Sequence, residues 1–584
     1  MSEAKAKIPR GKFLAIVAGA LLPISLLAVY ANQFQNGFHF DDAHTIVNNG
    51  AIGELQNIPA FFRDARTFSS LPSNQSYRPL VSALLAIDYR LAGGLHPFWF
   101  HLSIFALFVA LVLLLAFCID HLLERGATSS GNRWIAVAAA ACFGLHPANA
   151  DTINYIIASA DVIAALGVIA SFAVYFAFPR LRDYYLYVLP AAIAILAKPP
   201  AAIFAVLFAI YWPLFEQHKM RLIETRLKRI RQIIVPLLIC GAMLWFVQHM
   251  TPRTWVAGAA NARGYLITQP YVTLLYFKTF FWPTGLSADY DLNSFTTTND
   301  PCFWAGLAFG VLFIAVTIVT VVVEKTRVIG FGLLWFLIAL LPTSLFPLAE
   351  VMNDHRTFLP YIGLVIALAG GASSLLPRLN RQPTSAKIGA TGAVLFLLCA
   401  GAFATFQRNK IWKSEETLWH DVVIKSPGNG RGLMNYGNTL MAKGDFVSAL
   451  DYFHRAERLT PNYSVLLINL AVAEDATKQS SLAEQHFKEA LRLAPSSPDS
   501  YTYYARYLIS HSRADEARPF LQSALELSPA DLMAHDLLAQ TDGQAINRAA
   551  PQTPEYYLDL SLRFYGEERY VESIVASRRA LDLR

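Results

Sequence analysis

An all-α chain in two parts, a bundle of membrane helices followed by an α-solenoid, is what the sequence predicts, and three observations predict it. The 584 residues are 54% hydrophobic and only 15% charged, with a mean hydropathy of +0.37, too apolar for a soluble protein. Apolar runs follow one another to about Phe406, and from Arg408 onward the chain reads as a soluble domain. Pro427, Pro461, Pro495 and Pro529 then fall 34 residues apart, a period at which helix pairs stack into a solenoid. These features place a polytopic membrane domain at 1–406, with an external loop at 32–97, and a repeat domain at 407–584.

The N-terminal stretch MSEAKAKIPRGK precedes an apolar run of about 19 residues with no small-x-small cleavage site, so it reads as an anchor and not a removed signal. About eleven spans are predicted, at 13–31, 98–122, 134–147, 154–178, 184–197, 200–215, 233–250, 301–323, 328–342, 358–376 and 388–406. Basic residues gather at Lys5 to Lys12, Arg125 and Arg133, Arg180 and Arg182, 218–232, Lys325 and Arg327, and Arg378 to Lys387. With eleven crossings all of these share one side, which is then cytoplasmic. The opposite side receives Asp41 and Asp42, the HPANAD turn, Lys198, 251–300, EVMNDHR and the repeats. Pro199 and Pro200 break a long apolar run into two short helices, with Lys198 at a recessed tip. The segment 271–283 is expected in the interface or as a re-entrant piece. Asp151 is expected in an exposed loop. The net charge of +6 lies in these short loops, a pattern of membrane orientation and not of nucleic-acid binding. Five cysteines show no metal-site or disulfide spacing.

The repeats match the tetratricopeptide pattern. The first supplies Leu433, Tyr436, Gly437, Leu440, Ala449, Phe453, Ala456 and Pro461; the second and third repeat it with Leu467 to Pro495 and Tyr501 to Pro529. Small residues let paired helices approach, large ones fill the seam, and proline ends each unit. A loop at 541–553 breaks the phase, and a degenerate repeat with Tyr557, Leu560, Phe564 and Ala580 follows. Its proline would fall one residue past Arg584, so the last repeat is expected to be cut short.

SYRPLVSALLAIDYRLAGGLHPFWFHL, FGLHPANADTINYIIASADVIAAL, ILAKPP and EVMNDHRTFLPYIGL occur in that order, between an acidic pair after the first span and RNKIWKSEETLW before the repeats. In these blocks the chain resembles the transmembrane and tetratricopeptide-repeat O-mannosyltransferase family of the GT-C superfamily, in a bacterial-type form. The resemblance covers nearly the whole chain. It implies a GT-C membrane fold and transfer of a sugar from a polyprenyl-phosphate carrier to a hydroxyl on the non-cytoplasmic side. It also implies an acid in the first external loop acting as base, which matches Asp41 or Asp42, with the first of the pair favoured. The expected setting is a bacterial inner membrane, with the N-terminus cytoplasmic and the repeats periplasmic, or an endoplasmic reticulum membrane with lumenal repeats. One departure is that family members often carry an acidic residue after the lysine matching Lys198, where Pro199 stands here.

The residues make sense of such chemistry on their own terms. A hydroxyl is a poor nucleophile, and a carboxylate that takes its proton is worth ~10²–10⁴ in rate. Asp42 would orient its neighbours or, with Asp41, hold a divalent cation; no metal site is predicted beyond that. The alternative for the pair is helix capping. A departing lipid phosphate needs cations already in place, for which Arg78, Lys198, His355 and Arg356 are the candidates. Arg356 could instead pair with Glu350 or Asp354, and Arg78 could snorkel at the interface. His146, Asp161, Asp289, Tyr290, Glu350 and Asp354 complete the candidate cavity, with His146 equally readable as a structural histidine. The implied partners are a polyprenyl-phosphate-linked sugar, an acceptor protein near the repeats, and membrane lipid. A non-enzymatic scaffold and a lipid-linked sugar transporter are the competing readings; internally repeated halves expected of a transporter are not evident.

Overall fold

A computed structural model describes residues 21–126, 131–216, 224–254, 258, 261–528, 531–541 and 557. Most of the first predicted span, Lys5 to Lys12, part of the 218–232 loop, Pro529, and Leu560, Phe564 and Ala580 of the degenerate repeat lie outside the described residues. The described residues contain helices and turns but no strand. The chain divides into two compact units, Met1–Leu418 and Trp419–Arg584.

The first unit begins, after residues 21–30, with a run of short turns over Ala31–Gln35, Ala43–Val47, Gly50–Gly53 and Ala65–Phe68. Asn49 ties these turns together: its amide reaches the carbonyls of Thr45, Thr67 and Phe68 at 3.0–3.1 Å, while its oxygen accepts from Ala51 N–H. The helices that follow are α1 (Pro79–Ala92), α2 (Pro97–Gly126), α3 (Asn132–Gly144), α4 (Asn149–Asn154), α5 (Ser159–Ala177), α6 (Leu189–Ile195), α7 (Ile203–Phe215), α8 (Glu224–Met250), α9 (Ala262–Phe281), α10 (Pro301–Val322), α11 (Arg327–Leu345), α12 (Phe358–Asn380) and α13 (Thr384–Ile411).

Seven helical stretches among the described residues are long and apolar enough to cross a bilayer: 97–126, 156–177, 230–250, 301–322, 324–345, 354–380 and 384–411. Of the other predicted spans, α3 has only 13 residues, ~20 Å of helix, and α6 and α7 are the two short helices on either side of Pro199 and Pro200. The 271–283 segment forms the second half of the 20-residue α9. Small residues permit close packing in this unit. α11 and α12 meet where a Cβ on Gly363 would lie 2.5 Å from the Gly332 carbonyl oxygen, and one on Gly332 would lie 2.5 Å from that of Gly363. Only two glycines fit there.

Helix α14 (Glu415–Lys425) begins in the first unit and runs into the second. The second unit continues with α15 (Gly430–Ala442), α16 (Phe446–Leu459), α17 (Ser464–Ala476), α18 (Ser480–Leu493), α19 (Pro498–Ser510), α20 (Ala514–Leu527) and α21 (Leu532–Thr541). Sequential antiparallel pairs form because each helix buries one stripe and exposes the other. Ala449, Ala456, Ala471, Ala483, Ala490, Ala505, Ala517 and Ala524 are fully buried between Leu433, Phe453, Leu467, Phe487, Leu508 and Leu521. Gly437 makes room for the Phe453 ring, whose nearest atom a Cβ there would meet at 2.5 Å. Asn429 and Asp445 cap α15 and α16 by accepting from Gly432 and Ser448 N–H.

Candidate active site

The two adjacent aspartates are placed in opposite environments. Asp42 is fully buried. One of its carboxylate oxygens accepts from His39 N–H and the other from Ile157 N–H, both at 3.0 Å. It makes no capping bond to the turn that follows it. Burial pushes its carboxyl up to about 7, against the pull of those two N–H donors and of His39. Asp41 instead presents its side chain to solvent, 57% exposed, with one oxygen 3.4 Å from His44 Nε2. Its backbone N–H donates to the Tyr155 hydroxyl at 3.1 Å. Between His39 and Asp41, Phe40 has φ of +50°, a left-handed conformation costing a residue with a Cβ about 1–2 kcal/mol. The surroundings hold it there: Phe40 packs edge-on against Tyr155 at 5.5 Å and lies 6.0 Å from Trp412.

The predicted cations gather around a second set of carboxylates. Lys198 leaves the α6 end in an extended conformation, and its Nζ lies 2.6 and 2.7 Å from the two oxygens of Asp161 in the first turn of α5. Arg356 is largely buried; it donates to the Glu350 carbonyl at 2.7 Å and lies 3.5 Å from that residue's carboxylate. The ion pair weighed as an alternative for Arg356 therefore exists, with Glu350. Arg78 stands over the Phe68 ring at 5.1 Å, with no acidic group within ion-pair distance among the described residues. Burial works against its charge, and the fields of Asp161 and Asp41 support it. His355 lies in the fields of Asp161, Lys198, Arg356 and Glu350, and Lys198 in those of Arg78 and Arg356. Asp41, Arg78, Asp161, Lys198, Glu350, His355 and Arg356 thus form one electrostatic neighbourhood.

A second, buried cluster lies behind it. His355 Nδ1 is 3.9 Å from an oxygen of Asp151. Asp151, expected in an exposed loop, is buried at 2% exposure in α4. The polar HPANAD stretch looked like surface, but it leads into a short helix, Asn149–Asn154, whose every residue is buried. Burial and the neighbouring Asp354 push the Asp151 carboxyl well up, with Arg408 pulling the other way. Asp354 accepts from the Tyr290 hydroxyl at 2.7 Å. Asp289 is buried, and its carbonyl accepts from Ser287 Oγ at 2.7 Å. His146 is used structurally: Nε2 donates to the Phe280 carbonyl at 3.0 Å, Nδ1 accepts from Ala148 N–H at 3.3 Å, and the ring stacks on Phe280.

Sequence reasoning missed His39, Asp151, Tyr155, Arg408, Trp412 and Glu415. A histidine inside the apolar FHFDD stretch was the one local signal. No group of three or more His, Cys, Asp or Glu among the described residues is arranged to hold a metal ion. Chemically, the arrangement offers an exposed carboxylate for a proton and a set of partly buried cations for an anion.

Membrane-length apolar helices with a cluster of charged side chains among them, in a chain that continues into a stack of helical hairpins, define an integral membrane protein with a tetratricopeptide solenoid. The tetratricopeptide repeat family model matches residues 469–531. The chain is 24% identical to protein O-mannosyl-transferase Tmtc3 of Drosophila melanogaster, over 84% of this chain and 60% of that protein. It is 24% identical to human protein O-mannosyl-transferase TMTC4 over 73% of this chain and 64% of that protein, and 23% identical to human TMTC1 over 80% and 58%. The chain is thus similar to curated protein O-mannosyl-transferases, and it spans about 60% of the length of those relatives.

Proposed function

We propose that this chain is a membrane glycosyltransferase that moves a sugar, mannose by the names of its relatives, from a polyprenyl-phosphate carrier to a hydroxyl of an exported protein. The membrane domain at 1–406 receives the carrier on its non-cytoplasmic side, and the repeat domain at 407–584 selects or steadies the acceptor. The observation that carries this reading is the juxtaposition of solvent-facing Asp41 with the neighbourhood of Arg78, Lys198, His355 and Arg356. Acyl and phosphoryl sites of many kinds use cations, but this pairing suits an acceptor that must lose a proton while an anion departs.

Asp41 takes the proton of the acceptor hydroxyl, whose oxygen attacks the anomeric carbon in line as the carbon–phosphate oxygen bond breaks, inverting the configuration. Negative charge grows on the phosphate oxygens, and the guanidinium of Arg78 meets it bidentately while Lys198 acts as a point charge. Asp42 holds the loop. Lys198, between two short apolar helices, suits a carrier whose phosphate is wet and whose chain is in lipid.

The test is transfer by the purified full chain in nanodiscs, supplied with polyprenyl-phosphate-linked radiolabelled mannose and serine- and threonine-rich acceptor peptides. Labelled peptide from the wild type, and none above background from Asp41→Asn, is the expected result. Equal turnover by both, or by Lys198→Met and Arg356→Met with Asp41→Asn, would refute the reading and favour a scaffold.

A further inference from the structure

We infer that His39 is a positioning residue, held as an imidazolium between Glu415 and the Trp412 carbonyl, through which the segment leading to the solenoid sets how Asp41 is presented. This rests on the transferase reading for its consequence, although not for its geometry. The His39 ring is buried and has one partner at each nitrogen: Nδ1 lies 2.6 Å from Glu415 Oε1, and Nε2 lies 2.7 Å from the Trp412 carbonyl oxygen. A carbonyl oxygen only accepts, so Nε2 carries a hydrogen. A neutral ring would then need a donor at Nδ1. Glu415 is 48% exposed, and water keeps its carboxylate ionised, with no hydrogen to give. Both nitrogens therefore donate, and the ring is charged. The other charged or titratable groups coupled to it by their fields are Asp42 on its own segment and His101 on α2.

The consequence follows from where His39 stands. It precedes Phe40, whose left-handed backbone turns the chain into Asp41. Such a conformation persists only where the surroundings over-determine it. On one side the restraint is the Asp42 carboxylate on Ile157 N–H; on the other it is the His39 ring, with Trp412 edge-on to it at 5.6 Å. Trp412 follows the end of α13 and Glu415 opens α14, whose later residues belong to the second unit. The stretch RNKIWKSEETLW is thus both the path into the repeats and the clamp on the acidic loop, across 376 residues of sequence.

Nitrogen NMR of the full chain labelled with ¹⁵N-histidine tests the charge, with His39 assigned by the signals lost in His39→Gln. At neutral pH the wild type should show both ring nitrogens protonated. In Glu415→Gln the side-chain amide can donate to Nδ1, so that nitrogen should become unprotonated while Nε2 keeps its hydrogen. In the transfer assay with polyprenyl-phosphate-linked mannose, Glu415→Gln should lower kcat roughly 10- to 100-fold, the scale of a modest misplacement of a reacting group. The donor KM should stay within about twofold, and Glu415→Asp should recover much of the loss. A neutral His39 ring in the wild type, or Glu415→Gln with the kcat of the wild type, overturns the inference. A wild type inactive with every donor overturns the transferase reading instead, and the ring's charge is then still read by the spectrum.

Discussion

Replacing each of the two adjacent aspartates by asparagine should separate chemistry from architecture. Asp41 is 57% exposed, with His44 Nε2 3.4 Å from its carboxylate, so Asp41→Asn should leave stability within about 0.5 kcal/mol of wild type. On the proposed mechanism it removes the proton acceptor, and transfer should fall ~10²–10⁴-fold. Asp42 is different. Its two oxygens each accept a backbone N–H at 3.0 Å, and an asparagine has one oxygen and one NH₂ to offer. One buried N–H would then face another donor, at a cost of about 1–3 kcal/mol. The defect should also depend on pH. Burial raises the Asp42 carboxyl to about 7 in the folded chain, above the ~3.9 of an exposed aspartate. The stability linked to that shift is full below about 4 and is lost as pH rises through about 7. Wild type thus loses this contribution with rising pH while Asp42→Asn does not, and the gap between them should narrow from pH 5 to pH 8. Thermal unfolding across that range and transfer at a single pH, both on the full chain, supply the two readouts. An Asp42→Asn protein as stable as wild type at pH 5, or an Asp41→Asn protein with full turnover, would sink the reasoning.

Three further outcomes follow from single contacts. Arg78→Lys keeps the charge but loses the planar fork, and the KM for a polyprenyl-phosphate donor should rise about tenfold, equivalent to ~1.4 kcal/mol, with little change in unfolding temperature. Gly363→Ala puts a methyl 2.5 Å from the Gly332 carbonyl oxygen and should destabilise the membrane unit by about 1–3 kcal/mol, seen as a lower unfolding temperature in detergent. In the solenoid, hydrogen bonds from Arg513 and Lys488 lower the Glu484 carboxyl to about 2. Its contribution is present above the ~4.3 of a free glutamate and lost as pH falls through about 2. With its side chain 22% exposed and its partners Lys488 and Arg513 at the solvent edge, Glu484→Gln should cost no more than ~1 kcal/mol at pH 7, a difference that acid unfolding followed by circular dichroism would show vanishing near pH 2.

Much of the fold was legible because it is written in local periods. A helix needs one face to repeat every 3.6 residues, and a stacked hairpin needs its small and large positions to recur every 34, so Ala449, Phe453 and Ala456 and their counterparts could be read directly. The charged candidates could be read as well, since an acid or cation at the edge of an apolar run stands out. Their partners could not. Lys198 finds its carboxylate in Asp161, 37 residues away and in another helix; no spacing rule links the two. Asp151 was misplaced for the opposite reason: a polar hexapeptide between apolar runs looks like a loop, yet Asn36, Asn154 and Asn409 bury their amides together at 2.6 and 2.7 Å. Buried polar networks imitate surface composition until their partners are known.

The ion pairs explain how such a site can wait for its substrate. A cation held away from water without a counter-charge costs several kcal/mol or sheds its proton. Asp161 and Glu350 stand against Lys198 and Arg356 as counter-charges, and on the proposed reading both cations are in place before any phosphate arrives. Their charge is already spoken for, however, and among the predicted cations Arg78 alone meets an aromatic face instead of a carboxylate. On the proposed reading, an incoming phosphodiester, with a single negative charge, would be matched by Arg78 without displacing either pair. As the bond to the sugar breaks, the phosphate gains a second charge, and only then does drawing Lys198 or Arg356 from its carboxylate become favourable. Binding that strengthens as the leaving group forms is stabilisation of the transition state above the ground state. A pocket of unpaired cations would instead hold donor and product alike.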